Sequence, residues 1–494
     1  MALQPLLRGV SEEPGKSSLS EVFRTVAVPQ NSGWLRKFFA VAGPGYMVSV
    51  GYMDPGNWAT DLAGGAKFGY ALLWVILASN LMAILLQTLC LRLGLATERD
   101  LAQLCRDSFK KPAAVALWVL SEIAIIACDL AEVIGSAVAL KLLFNIPLVA
   151  GVLITGADVL LMLGLMKFGF RKLEAFVIAL VATIAVCFGM ELYSSAPVWT
   201  DVARGLVPTP LPHDKEALAI ALGIIGATVM PHNLYLHSSI VQTRAHEKTP
   251  EGLNQAIKLN TLDTVLSLMG AFFVNAAILI LAAAVFHKAG ITVDRLEDAH
   301  QLLKPALGGA AATLFAVALL ASGQSSTITG TLAGQIIMEG FLRVKVAPWI
   351  QRLATRALAI IPAIILIVAF GDSRTNSLLV VSQVVLSMQL PFAIFPLLAF
   401  TSDKKRMGAH VSPLWLKVLG YSIGIAITAL NIKLLFDILG PLWVGGGIAA
   451  GALFAGWVMF VYREPVEDDG DDDNQLRPQK RDERRSNRFE PAEG

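Results

Sequence analysis

The sequence predicts an all-α polytopic membrane protein built from two five-helix repeats of opposite orientation. Three observations predict this class: an apolar composition, about twelve stretches long enough to cross a bilayer, and a matched helix break in each half of the chain. Of the 494 residues, 55% are hydrophobic and 16% are charged, and the mean hydropathy is +0.61. Soluble domains typically carry about 25% charged residues, so this composition excludes a soluble globular protein.

Twelve apolar stretches account for the predicted helices, because about 20 apolar residues suffice to cross the hydrocarbon core of a bilayer. In chain order they are residues 39–66, 69–92, 112–140, 147–166, 173–193, 216–241, 260–286, 305–340, 354–370, 376–400, 412–436 and 441–462. Lys and Arg are more frequent in the loops on the side of the N terminus, which predicts a cytoplasmic N terminus. We therefore expect about 11 to 12 transmembrane helices in the cell membrane, and the bacterial inner membrane in particular.

Spans one to five and six to ten each begin with a helix that proline interrupts. Because five is odd, the second repeat enters the membrane in the opposite orientation to the first. The predicted organisation is a flexible tail over 1–35, a transmembrane domain over 36–462 with repeats at about 36–195 and 214–402 and extra helices over 412–462, and a disordered charged tail over 463–494. The first 35 residues lack the charged start, apolar stretch and cleavage site of a signal peptide.

Two tetrapeptides of the form x-Pro-x-Asn mark the breaks: Asp54-Pro55-Gly56-Asn57 and Met230-Pro231-His232-Asn233. Proline has no N–H and its ring clashes with the carbonyl four residues earlier, so Pro55 frees the Gly51 carbonyl and Pro231 frees the Ala227 carbonyl. Irregular backbone at mid-membrane is tolerated only inside protein or along a cavity, and paired interruptions in two repeats indicate a substrate site.

The side chains at the two breaks favour a metal ion as the substrate. Asp54 and Asn57 offer hard oxygen ligands, whereas the Met230 thioether is a soft ligand that suits transition metals. Two alternatives stay open at this point: Asp54 could accept hydrogen bonds only from the broken backbone, and Met230 could be ordinary apolar filler.

A second group of polar residues in the spans favours proton movement. Asp129 and Glu132 share one face of the third span, and Arg356 in the ninth span is a candidate counter-charge. His232 is two residues past Met230, about 200° around a helix, so it is better placed for protons than for the metal. A salt bridge that only fixes packing, and a histidine bonded within the bundle, remain alternatives.

For a glutamine, a second histidine and the cysteines, the sequence gives weaker evidence of function. Gln383 in span ten could add an amide oxygen to the site, although spacing does not place it there. His237 falls near the cytoplasmic end of its span, where a histidine needs no special role. The four cysteines, Cys90, Cys105, Cys128 and Cys187, lack paired spacing, so we expect small apolar core residues.

These residues closely resemble the Nramp (natural resistance-associated macrophage protein) family of proton-coupled divalent metal transporters, including bacterial manganese transporters. The resemblance rests on Asp54 to Asn57, on Ala227 to Ser238, and on Gly323-Gln324-Ser325-Ser326-Thr327-Ile328-Thr329-Gly330. It implies the leucine-transporter fold, with helices 1 and 6 broken at Pro55-Gly56 and Pro231. The implied metal ligands are Asp54, Asn57, the Ala227 carbonyl, Met230 and, in some states, Gln383; the implied proton pathway is Asp54, His232, Asp129, Glu132 and Arg356.

The predicted function is therefore secondary active import of Mn2+ or Fe2+ coupled to protons, by alternating access, and no enzymatic activity or cofactor is expected. The expected partners are the metal ions, protons and the lipid bilayer, without nucleic acid or an obligate protein partner. Two rivals stay open: a sodium-coupled transporter of an amino acid or other organic solute with the same fold, and a membrane metal sensor that signals through its charged tail.

Overall fold

The computed structural model describes residues 18, 23–29, 32–156, 170–210, 214–247, 249–291, 293, 295–342, 348–370 and 375–439, and this part of the chain is almost entirely helical. The helices are α1 (Trp34–Val41), α2 (Pro44–Gly51), α3 (Pro55–Phe68), α4 (Leu73–Thr97), α5 (Leu101–Ser108), α6 (Lys111–Phe144), α7 (148–156), α8 (Phe170–Ser195), α9 (Trp199–Gly205), α10 (Lys215–Thr228), α11 (Pro231–Ile240), α12 (Pro250–Ala282), α13 (Leu296–Leu307), α14 (Gly309–Leu342), α15 (Pro348–Phe370), α16 (Thr375–Ser402), α17 (Lys404–Met407) and α18 (Leu414–Leu439).

Within the described residues, eight segments are long and apolar enough to cross a membrane. They are Pro55–Thr97, Lys111–Phe144, Arg171–Ser195, Lys215–Thr243, Pro250–His287, Gly309–Leu342, Thr375–Ser402 and Leu414–Asp437. The first of them joins two predicted spans, which a 3₁₀ turn with Gly69 at φ 59° separates into α3 and α4. The ninth predicted span is a shorter apolar helix, and the fourth in part, the twelfth and the C-terminal tail lie outside the described residues.

Both predicted breaks are present. α2 ends at Gly51 and α3 begins at Pro55, while α10 ends at Thr228 and α11 begins at Pro231. Proline is the first residue of α3 and of α11, where its missing N–H costs no hydrogen bond. The extended backbone of Asp54 and Met230 before each proline completes the interruption.

The unwound peptides of the first break are held by neighbouring helices. Ser322 Oγ of α14 donates to the Met53 carbonyl at 2.5 Å, and Trp58 Nε1 donates to the same carbonyl at 3.2 Å. Asn275 Nδ2 of α12 donates to the Tyr52 carbonyl at 2.8 Å. Buried carbonyls outside regular helix thus find side-chain donors, which is what stabilises irregular backbone inside a bundle.

Helix packing follows the repeat predicted from the two breaks. α12 packs against α2 and α3, and its counterpart in the first repeat, α4, packs against α10 and α11. Likewise α14 packs against α8, and α16 packs against α6. α3 lies among α6, α10, α12 and α16, so the first break is surrounded by helices from both repeats.

The end of the bundle predicted to be cytoplasmic is tied together by buried charges. Arg244 donates to the Val41 and Ala42 carbonyls at the end of α1 and pairs with Glu174 at 2.7 Å. Asp263 accepts from the Gly43 and Gly45 amides at the start of α2. These contacts fix the half-helix α2 that leads to the first break.

Residues from the predicted N-terminal tail join this arrangement. The Arg24 and Val26 amides donate to the Gln242 and Thr243 carbonyls, each at 3.0 Å. Arg24 also pairs with Glu98 at the end of α4. At these described residues the segment lies against the bundle.

Candidate metal site

The Asn57 side chain lies at the meeting point of the two breaks. Its Nδ2 donates to Asp54 Oδ1 at 2.7 Å, to the Ala227 carbonyl at 3.2 Å and to the Gly51 carbonyl at 3.3 Å. Gly51 and Ala227 are the two carbonyls that the prolines were predicted to free. Three oxygen acceptors from α2, α10 and the loop before α3 therefore converge on one point.

Asp54 has both a structural and an available oxygen. Its Oδ1 accepts from the Asn57 backbone amide at 2.8 Å and so caps α3, as the structural alternative proposed. Its Oδ2 is buried and has no hydrogen-bond partner among the described residues. Capping therefore accounts for only one oxygen of this buried carboxylate, and the other is the oxygen that the predicted metal-ligand role would use.

Met230 brings a sulfur to the same region. A Cβ on Gly51 would lie 3.2 Å from Met230 Sδ, and Asn233 Nδ2 is 3.7 Å from that sulfur. Met230 is fully buried and precedes α11 in extended conformation. The helical angle assumed between Met230 and His232 therefore does not apply, because Met230 is not in the helix.

Gln383 of α16 packs directly on the first break. A Cβ on Gly56 would collide with Gln383 Nε2, so the absence of a side chain at Gly56 makes room for this amide. Gln383 Nε2 donates to Ser382 Oγ at 3.1 Å, and Gln383 Oε1 has no partner within the described chain. The structure thus places Gln383 beside the site, which spacing alone could not do.

The candidate ligands form a mixed set. Among the described residues, no group of three or more His, Cys, Asp or Glu side chains is arranged to hold a metal ion. Asp54, Asn57, Ala227 and Met230 instead combine one carboxylate, one amide, one backbone carbonyl and one thioether. Such a set has both hard and soft donors, which suits Mn2+ or Fe2+ better than Ca2+ or Mg2+.

The predicted acid and arginine cluster is present and buried. Arg356 NH1 lies 3.1 Å from Glu132 Oε2 and 3.8 Å from Asp129 Oδ1. Thr327 joins it, donating to Glu132 Oε2 at 3.1 Å and accepting from Arg356 NH2 at 2.9 Å. A charged pair in this setting requires such satisfied partners, because its desolvation is costly.

His232 reaches this cluster through a cysteine. Cys128 Sγ lies 3.9 Å from His232 Nε2 and 3.8 Å from Glu132 Oε1. Cys128 also packs with Met230 in a small apolar cluster. Cys128 was expected to be a plain core residue; its position between a histidine and a glutamate could not be read from one sequence, because it depends on which helices are neighbours.

The His237 side chain, predicted to lie near the cytoplasmic end of its span, is enclosed by neighbouring helices. It is fully buried, with Nδ1 3.0 Å from Gln87 Oε1, and Gln87 Nε2 donates to the Tyr52 hydroxyl at 2.9 Å. The packing of α11 against α4 brings Gln87 to this histidine and covers it.

Comparison with known proteins identifies the family. The profile described as natural resistance-associated macrophage protein-like matches residues 45–437. The chain belongs to the Nramp family. A Nostoc protein named divalent metal cation transporter MntH is 57% identical over 425 residues, which is 85% of this chain and 96% of the relative. A Xanthomonas campestris protein of the same name is 58% identical over 427 residues, 86% of this chain and 96% of the relative.

Solved structures of two other transporters share this architecture. The Eremococcus coleocola manganese transporter, crystallised with an aromatic bis-isothiourea compound, superposes with a TM-score of 0.85 at 38% identity, covering 92% of this chain and all of that one. Mhp1, a nucleobase-cation-symport-1 transporter, superposes with a TM-score of 0.57 at 13% identity, covering 88% and 96%. The leucine-transporter fold expected for this Nramp chain is therefore confirmed.

Proposed function

We propose that this Nramp chain imports Mn2+ or Fe2+ across a bacterial inner membrane together with protons, by alternating access around the two helix breaks. The observation that carries the proposal is the convergence of Asp54, Asn57, the Ala227 carbonyl and Met230 from opposite repeats. A site formed jointly by two repeats can be exposed to either side when one repeat moves against the other.

The choice of substrate is supported by the donors and by the relatives. Asp54 Oδ2 is a buried carboxylate oxygen whose negative charge suits a cation and opposes a carboxylate-bearing solute. The relatives are named divalent metal cation transporters and the structural neighbour is named a manganese transporter. For these reasons the observations favour metal transport over sodium-coupled transport of an organic solute.

Proton coupling is supported by the buried polar route beside the site. Contacts run from His232 through Cys128 to Glu132, and then to Arg356 and Asp129. Because Asp54 binds a metal ion only in its deprotonated form, acid should weaken equilibrium metal binding while an inward proton gradient drives uptake.

The proposal is tested by Mn2+ uptake into proteoliposomes under an inward proton gradient, with excess Ca2+ present. The native chain, Asp54→Ala and the control Asp107→Ala are compared; Asp107 pairs with Arg106 outside the spans. We expect saturable, calcium-resistant uptake that is faster with the proton gradient, kept in the control and lost in Asp54→Ala. Absence of uptake by folded native protein would refute transport, and uptake indifferent to the proton gradient would refute the coupling.

The sensor rival is separated by truncation. A chain lacking the residues after Arg463 should keep full Mn2+ uptake, because every candidate site residue precedes that point. Loss of a signalling output with no uptake in either form would favour the sensor instead.

A further inference from the structure

The orientation of the Asn57 amide is fixed by its neighbours. Its three contacts near the breaks are two backbone carbonyls and Asp54 Oδ1, an oxygen that already accepts from the Asn57 backbone amide. Carbonyl and carboxylate oxygens only accept, so the amide atom facing them has to be the nitrogen. The nitrogen of Asn57 thus takes the position among the oxygens that a cation would take.

The amide oxygen of Asn57 consequently faces the other way, toward α12. There it lies 3.4 Å from Asn275 Nδ2. The orientation of Asn275 is fixed in the same manner, because its Nδ2 donates to the Tyr52 carbonyl at 2.8 Å. Asn275 Oδ1 is buried and has no partner among the described residues.

We propose that Asn275 is a positioning residue for metal binding, which receives the Asn57 amide nitrogen when the Asn57 oxygen turns toward the cation. The inference rests on the proposed metal transport, since it needs Asn57 to be a ligand. Only the oxygen of Asn57 can bind a cation, so binding requires rotation about the Cβ–Cγ bond, a torsion with two roughly equivalent orientations.

The rotation carries two N–H donors to the position that the oxygen leaves. Buried donors without an acceptor are costly, and Asn275 now presents its own donor Nδ2 there, whereas its unpartnered Oδ1 could accept after the Asn275 amide rotates. Rotation of the Asn275 amide presents this oxygen but also puts it where Nδ2 bonded the Tyr52 carbonyl, so that carbonyl has to shift away or take another donor. The two amides therefore turn together, and metal binding is linked to the unwound peptide between α2 and α3.

The first test measures the equilibrium Kd for Mn2+ by calorimetry on the full chain. Asn275→Leu, similar in volume, should weaken binding about fivefold, the equivalent of one hydrogen bond of about 1 kcal/mol. In Asn275→Leu the metal-bound orientation of the Asn57 amide loses its acceptor, whereas the metal-free orientation loses only the 3.4 Å contact. The metal-bound orientation is therefore destabilised more. The control is Asn260→Leu on the same helix, a buried amide that bonds only locally, at 2.8 Å to the Ala256 carbonyl, and should leave Kd unchanged.

The second test asks whether Asn275 acts through the rotation of Asn57. Asn57→Asp has two equivalent oxygens and so has no orientation to choose. In that background Asn275→Leu should leave the Kd for Mn2+ unchanged. Asn275→Ala, which introduces no extra volume, should behave in the same way in both backgrounds and serves if the leucine variant does not fold.

The outcomes distinguish this inference from the function on which it rests. An equal loss of affinity in the native and Asn57→Asp backgrounds would mean a structural role for Asn275 and would overturn the inference. An unchanged Kd in both backgrounds would overturn it as well. No saturable Mn2+ binding by the native chain would instead refute the proposed function.

Discussion

Single residues at this site carry two tasks each. Asp54 caps α3 with one oxygen while the other has no hydrogen-bond partner among the described residues, so the residue at the break is also the proposed ligand. Asn57 likewise bonds both freed carbonyls through its nitrogen while its oxygen is the expected ligand. Because each of these side chains both stabilises the break and is a candidate ligand, a few residues can build a site in irregular backbone.

Met230 is expected to control selectivity more than uptake. In Met230→Ala the oxygen ligands remain, so Mn2+ uptake should persist, but Ca2+ should inhibit at about tenfold lower concentration, since about 1.4 kcal/mol of preference is lost with the soft donor. Competition assays with Met269→Ala, a partly buried methionine near Asn80, provide the control. Unchanged calcium competition in Met230→Ala would show that selectivity lies elsewhere.

Glu132 is expected to serve proton movement. Glu132→Gln keeps the shape and the Thr327 contact but removes the charge that faces Arg356. Proton uptake accompanying Mn2+ should fall, while the Kd for Mn2+ changes little, and both are measured in the same proteoliposome preparation. Glu122→Gln on the same helix, bonded to Trp118, is the control. Equal loss of binding and proton uptake would favour a purely structural ion pair.

Among the helical elements, the two broken helices depend on close approach by their neighbours. Gly56 lies under Gln383 at a distance that no Cβ fits, whereas a Cβ on Gly64 of the same helix would meet Leu72 at 3.4 Å, an ordinary contact. We expect Gly56→Ala to displace Gln383 and abolish Mn2+ binding, and Gly64→Ala to retain it. Calorimetry measures Mn2+ binding by both variants. Normal Mn2+ binding by Gly56→Ala would contradict the packing of Gln383 on Gly56.

The N-terminal cap of α5 is expected to make the stability of the protein depend on pH. Asp100 caps this helix through Gln103, and burial raises the pKa of Asp100 from 3.8 to about 6. A folded pKa above the unfolded one gives stability that is present below about pH 4 and lost as pH rises through about 6.

Replacing Asp100 removes this dependence. In Asp100→Asn, which keeps a capping oxygen, the melting temperature should fall less between about pH 5 and 7 than in the native chain, by a few degrees at roughly 1 kcal/mol. Asp107→Asn on the same helix should follow the native slope. Thermal melts in detergent at several pH values measure this, and parallel slopes for the native chain and Asp100→Asn would contradict the assignment.

At the scale of the whole molecule, local rules predicted much of the arrangement and missed what depends on helix neighbours. The proline rule identified the Gly51 and Ala227 carbonyls, and both are contacted by Asn57. Asn275 and Cys128 were missed, because an amide or a thiol in an apolar span has no local signal of its partner. The positions of such residues follow from the packing of α12 and α6, which one sequence does not specify.

The burial of Arg244 also depends on helix neighbours and so could not be predicted from the sequence. A basic residue just after an apolar span is typical of a charged loop, yet Arg244 is buried against Glu174 and the end of α1. Burial lowers the pKa of Arg244, and the neighbouring Glu174 opposes that shift. Together with the N-terminal segment this pair ties the predicted cytoplasmic end of the bundle, which alternating access would have to open.

Crystals grown with Mn2+, with diffraction measured near the manganese absorption edge, would show whether the two broken helices from opposite repeats form one metal site. We expect one strong anomalous peak bounded by Asp54, Asn57, the Ala227 carbonyl and Met230, with the Asn57 oxygen turned toward it. A peak elsewhere in the bundle, with none between the two breaks, would contradict this expectation.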